Sequence, residues 1–185
     1  MSACGGSSTG PASFSTASSQ AAFDERASRG FALVDNYEDV AATSNMPTSG
    51  SASYSGLAGF ANRPDFNKGD IIASADVSMT ASFSATGGSV SGSMTNFLAL
   101  DQNDETTEVE ALRGSLAINE AAFTGNAFST TISGQLTDSE GPFNVTGSMD
   151  ARFVGDEGAA IGASMVLSDG DDDGTIFGAL VAEKQ

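Results

Sequence analysis

The stretch Ile71-Ile72-Ala73-Ser74-Ala75-Asp76-Val77-Ser78-Met79-Thr80-Ala81-Ser82-Phe83-Ser84-Ala85 decides the fold class. Ile71, Ala73, Ala75, Val77, Met79, Ala81, Phe83 and Ala85 are apolar, while Ser74, Asp76, Ser78, Thr80, Ser82 and Ser84 fill the positions between them. Successive side chains of a strand point to opposite faces, so this period of two describes a strand with one buried and one wet face. A helix would scatter the same apolar residues around its whole circumference. Phe143, Val145, Gly147, Met149, Ala151 and Phe153 repeat the pattern against Asn144, Thr146, Ser148, Asp150 and Arg152. Shorter versions predict strands over Ala52 to Phe60, Val90 to Leu98, Leu112 to Ile118, Phe123 to Leu136, Ile161 to Leu167 and Thr175 to Val181.

These segments, with the two central ones, make eight strands, and the expected fold is all-β: an eight-stranded antiparallel up-and-down β-barrel with a short N-terminal helix. Within Phe123 to Leu136 the apolar phase changes after Ala127, which predicts a β-bulge there. Glycines recur on the apolar face at Gly56, Gly92, Gly114, Gly125, Gly134 and Gly147, as strongly coiled strands require. A barrel of eight strands has an interior that Phe, Met, Ile and Leu side chains can fill, so no ligand-sized lumen is expected. Alternation alone does not say which face points inward, because an integral outer-membrane barrel has the same period with its apolar face on lipid. Against that alternative stand the absence of Trp, only two Tyr, and segments such as Leu112 to Ile118, shorter than the roughly 9 to 11 residues a membrane strand needs.

The N-terminal part has a different character. Residues 1–19 read as a flexible tether, 20–47 as a short helix and linker, and 48–185 as the barrel. Phe23, Ala27, Phe31, Val34 and Tyr37 recur three or four apart among Asp24, Glu25, Arg26, Arg29, Asp35 and Glu38, the pattern of an amphipathic helix. Gly30 weakens it by roughly 1 kcal/mol relative to Ala, so it needs to dock, and the expectation is that it caps the barrel. Pro47 ends the segment. The only cysteine, Cys4, follows small residues and precedes a Ser/Thr/Gly/Pro run. This looks like the processed end of a bacterial lipoprotein, with Cys4 as the lipidation site. No stretch approaches the roughly 20 apolar residues of a membrane-spanning helix.

With 24 acidic and 7 basic residues the net charge is −17, so nucleic acid and anionic lipid headgroups should be repelled. Without histidine, and with one cysteine, the chain lacks the residues of a Ser-His-Asp or Cys-His catalytic arrangement and the usual zinc ligands. Carboxylates such as Asp104 and Glu108 would have to act alone, and the expectation is a protein that is not an enzyme. Asp169, Asp171 and Asp173 before Gly174 reproduce the first half of a calcium loop, but position twelve is Leu180, not Glu, which favours a polar hairpin turn over a divalent-cation site. For haem, Tyr37, Tyr54 and the methionines are the conceivable axial ligands, and core packing is the default role for Tyr54, Met79, Met94, Met149 and Met165. Arg63, Phe66 and Lys68 place an aromatic beside two of the seven basic residues in one loop, a candidate ligand-binding loop.

The carboxyl end carries Phe153-Val154-Gly155 and, through Leu167-Ser168-Asp169-Gly170, Phe177-Gly178-Ala179. It resembles the closing hairpin of the transferrin-binding protein B type β-barrel domain. Gly50-Ser51-Ala52-Ser53-Tyr54-Ser55-Gly56 is similar to that family's opening strand, and Val90-Ser91-Gly92-Ser93-Met94-Thr95-Asn96-Phe97 to its third. The resemblance covers roughly residues 48 to 185. It implies a lipid-anchored binding protein on the outer-membrane surface, monomeric, that captures a protein or an iron- or haem-related ligand through loops and barrel exterior. The best-known members have two lobes, each with a handle domain and a barrel; the small transferrin-binding-protein-like solute-binding lipoproteins match this chain in size. A structural or adhesive surface protein with no nutrient ligand is the alternative.

Overall fold

Eight antiparallel strands, each hydrogen-bonded to its sequence neighbours, close into one barrel in which β1 also pairs with β8. The computed structural model describes residues 16–37, 39–62, 72–100, 108–170 and 174–185. Cys4, Arg63, Phe66, Lys68, Ile71, Asp104, Asp171 and Asp173 lie outside them. The strands are β1 (Gly50–Ala61), β2 (Ala73–Ser84), β3 (Gly87–Leu100), β4 (Val109–Phe123), β5 (Ala127–Thr137), β6 (Pro142–Val154), β7 (Ala160–Ser168) and β8 (Thr175–Lys184). One helix, α1 (Thr16–Tyr37), precedes them, starting ahead of the predicted Gln20.

The period-two residues set the faces. Tyr54, Phe60, Val77, Met79, Phe83, Met94, Ile132, Met149 and Phe153 form the buried interior, whereas Ser53, Ser55, Ser78, Thr80, Ser82 and Asp150 are exposed. An apolar inside and a hydroxyl-rich outside is the reverse of a lipid-facing barrel. Strand length no longer bears on the question: β4 runs 15 residues, not the short segment predicted, because its ends carry small and charged residues that hide the alternation.

The predicted bulge near Ala127 is instead a hairpin turn. Phe123 closes β4, Gly125 takes φ +78°, Thr124 bridges Ala127, and Phe128 opens the inward face of β5. A tight turn shifts the apolar phase just as an inserted residue does, so the pattern could not separate the two. The bulges lie elsewhere, between Ser74 and Asp76 in the β2–β3 ladder and at two places in the β3–β4 ladder. The one between Met94 and Phe97 holds Asn96 at φ 54°, a left-handed conformation that asparagine tolerates.

The helix does not cap the barrel. It lies along the outer wall against β1, β4 and β8, with Phe23 and Ala27 packed on Val109, Leu98 and Leu100. The Asn96 bulge turns its carbonyl toward this helix, where the Arg26 guanidinium donates to it and to Asp76 Oδ2 at 3.2 Å. Leu57 and Val181 pair on this outer side and are buried, as is Leu33 of the helix. A sheet with apolar residues under a docked helix is covered on both faces there, which is why α1 finds more burial on the wall than on the end.

The end is closed by the linker that follows the helix. Ala42 bridges Val154, Thr43 N–H donates to the Phe153 carbonyl at 2.9 Å, and Thr43 Oγ1 donates to the Gly155 carbonyl at 2.7 Å. Asn126 Nδ2 donates to the Thr43 carbonyl at 2.8 Å, and Met46 packs against the core. Ser74 is buried on the outer face of β2, and its hydroxyl finds no partner among the described residues. Ser74→Ala removes that desolvated hydroxyl, and we expect a gain of about 1 kcal/mol in urea unfolding; a loss would mean that the hydroxyl is bonded in solution.

Candidate functional site

Among the described residues the barrel interior is filled by side chains. Phe153 is fully buried, and its ring centroid lies 5.0 to 6.0 Å from those of Tyr54, Phe83, Phe123 and Phe128, a tilted cluster that fills one end of the core. Tyr54 is 1% exposed, and its hydroxyl donates to the Gly158 carbonyl at 2.9 Å. Met79, Met94, Met149 and Met165 are buried beside it. These residues are core, as their strand phase predicts, and are closed to an axial role on haem.

Burial raises the Tyr54 phenol to about 12. A phenol with a folded pKa above its unfolded value of 10 stabilises the fold fully below pH 10 and loses that contribution as pH rises toward 12. Spectrophotometric titration should therefore show one tyrosine ionising well above the ordinary range, at about 12. In Tyr54→Phe that component should vanish and the stability should fall by about 1 kcal/mol.

The clefts among the described residues are on the outside. One, about 520 Å³, runs between the last turns of α1 and the outer wall of β6, β7 and β8. Val34 and Tyr37 form its helical side; Arg152, Gly162, Ala179 and Val181 are among the residues of the sheet side. Register places Arg152 opposite Gly162 and Gly162 opposite Val181. A Cβ on Gly162 would meet nothing within 4 Å, so this glycine leaves open space. Tyr37 also borders a second cavity, of about 560 Å³, with Asp156, Glu157, Glu183 and Lys184. Its hydroxyl donates to Glu183 Oε1 at 3.2 Å. Burial, then the Glu183 charge and this hydrogen bond, raise its pKa. A third cavity, about 570 Å³, lies at the closed end beside Asn45, Thr86 and Asn126.

Arg63, Phe66 and Lys68 fall in sequence between β1 and β2 and lie outside the described residues. In an up-and-down barrel alternate connections leave the same end, so the β1–β2 connection leaves with β3–β4, β5–β6 and β7–β8. This is the end opposite the linker stopper. Of the acidic run, Asp169 is described: its carboxylate lies against Gly174 across the β7–β8 turn. No cluster of three or more His, Cys, Asp or Glu is gathered for a metal among the described residues. The cleft beside α1 escaped the sequence reading because its residues occupy the outer phase. The usable signal was the unbroken apolar run Ile176 to Ala182, which marks a strand covered on both faces.

Residues 46–184 match the family described as the C-lobe and N-lobe β-barrels of Tf-binding protein B. This chain belongs to that family. Among solved structures it is similar to a mutant of the vaccine antigen Transferrin Binding Protein B from Haemophilus parasuis Hp5, at 16% identity and a TM-score of 0.40, over 76% of this chain and 27% of that one. It is also similar to isotype 1 Transferrin binding protein B from serogroup B Neisseria meningitidis, at 17% identity and a TM-score of 0.42, over 75% and 26%. The chain thus spans about a quarter of the length of these Tf-binding proteins. No curated protein matches it.

Proposed function

We propose that this chain is a non-catalytic binding barrel, displayed on the bacterial outer membrane through a lipidated Cys4, that captures a protein ligand with its outer surface. The observation that carries this reading is the filled interior: a Tf-binding protein B type barrel packed with Phe, Tyr and Met leaves only the loops and the wall to bind with. The loop end bearing Arg63, Phe66 and Lys68 is the proposed contact region, since basic and aromatic anchors are scarce on a surface of net charge −17. A protein is favoured over haem as the direct ligand because Tyr54 and the strand methionines are sealed in the core, and the Tyr37 hydroxyl is given to Glu183.

The test uses the full chain, immobilised, against the medium and cells of an iron-starved source culture and against iron-loaded transferrin, with a separate haemin titration followed by absorbance. A saturable partner whose capture is lost in a combined Arg63→Ala, Phe66→Ala, Lys68→Ala variant supports the reading. A haemin Soret shift lost in Tyr37→Phe would replace it with direct haem capture. A folded chain giving neither signal overturns nutrient capture and leaves a structural or adhesive surface protein.

A further inference from the structure

The outer face of β7 and β8 carries a track that no binding loop accounts for. Three register pairs lie along it: Gly162 with Val181, Ser164 with Ala179, and Val166 with Phe177. Val166, 46% exposed, is the one large hydrophobic residue that stands exposed among those described. The track begins in the 520 Å³ cleft beneath Val34 and Tyr37 and runs about 13 Å from Gly162 to Val166 at the usual strand rise. A cleft of this size accommodates one small molecule, within the roughly 300 to 1,000 Å³ of small-ligand sites.

Charge defines what enters it. Arg152 lies on β6 directly opposite Gly162 of β7, is exposed, and makes no ion pair among the described residues, on a chain with only seven basic side chains. Asp150, two register pairs along and opposite Ser164, accepts a hydrogen bond from Ser129 Oγ at 2.5 Å. A carboxylate is therefore drawn to the Arg152 end and repelled from the middle of the track. Beyond Asp150 the β6 neighbour of Val166 is the neutral Ser148.

We propose that this cleft binds a single-chain amphiphilic anion, a medium-chain fatty acid in chemical class, with its carboxylate on Arg152 and its tail along Gly162, Ala179 and Val166. The site is separate from the loop end, and capture of a protein there can fail without bearing on it.

The probe is decanoate, titrated below its micelle concentration into the full chain by calorimetry, with amide NMR shifts to locate it. The expected result is saturable binding that shifts β7 and β8 amides. Arg152→Gln should weaken it about tenfold, as loss of a charge-assisted pair does, and decanol should bind wild type as weakly as decanoate binds that variant. Gly162→Leu should abolish binding, since its side chain enters open space, while leaving the thermal midpoint unchanged or higher. If that variant does not fold, Ser164→Leu, also on the exposed face, replaces it. No saturable binding, binding that survives the filled cleft, or equal affinity in Arg152→Gln overturns the proposal.

Discussion

Replacing Phe153 by alanine is expected to lower the stability of the fold by about 3 to 5 kcal/mol, the range for deleting a fully buried phenylalanine ring that neighbours cannot collapse to replace. Collapse is obstructed here because the four surrounding rings come from four different strands, β1, β2, β4 and β5, each held in register by its ladders. The backbone of Phe153 has a second duty. Its N–H donates to the Asn126 carbonyl at 2.7 Å, and its carbonyl accepts from Thr43, so the residue joins β6 to the turn after β4 and to the linker that stops the barrel. Urea unfolding should show a lower midpoint with the same slope if the linker stays seated, and a smaller slope if the stopper also loosens. Phe177→Ala, on the outer face and only half-buried, serves as the comparison and should cost about 1 kcal/mol or less. A Phe153→Ala loss no larger than that would mean that the aromatic cluster is not the centre of the core.

The barrel was legible because a one-residue slip of any strand would send its apolar set to the wrong face, so Val77, Met79, Ala81 and Phe83 specify their own side without help from the rest of the chain. The same logic hid two things. Around Gly125 a turn and a bulge leave the same trace in the alternation, and only the pairing of Phe128 with Ala151 distinguishes them. The helix stripe Phe23, Ala27, Phe31 announces that α1 docks, but not where. Its receptor is assembled from Leu98, Leu100 and Val109, separated from the helix by the whole opening hairpin and brought together only by closure of the sheet. Of the cleft, the sequence carries only the apolar run of β8: Arg152, Gly162 and Val181 are outer-face residues on three strands, and their adjacency is a property of register. Arg63, Phe66 and Lys68 stood out by composition and lie outside the described residues.

Gly56 and Gly162 should respond to the same substitution with opposite signs. Gly56 lies on the inner face of β1, where a Cβ would overlap the Val181 carbonyl oxygen and press on the Ala182 backbone of β8. These are backbone atoms of the strand that closes the barrel, so no side-chain rotation relieves the contact. Gly56→Ala therefore forces β1 and β8 apart at the seam, and we expect a loss of about 3 kcal/mol, at the upper end of the usual overpacking range. Gly147 presents the same geometry against the Val166 carbonyl on the other side of β7 and should behave alike. Gly162→Ala adds its methyl to open space on the outer face, and its main effect is to reduce the freedom of the unfolded chain, a gain of about 0.5 kcal/mol. Thermal unfolding of the two variants, measured side by side, separates the possible roles of strand glycines in this barrel. If both lose stability, backbone permissiveness is what the sheet requires; if only Gly56→Ala does, the requirement is close approach of neighbouring strands, and the tight coiling of the barrel rests on the missing side chains of its inner face.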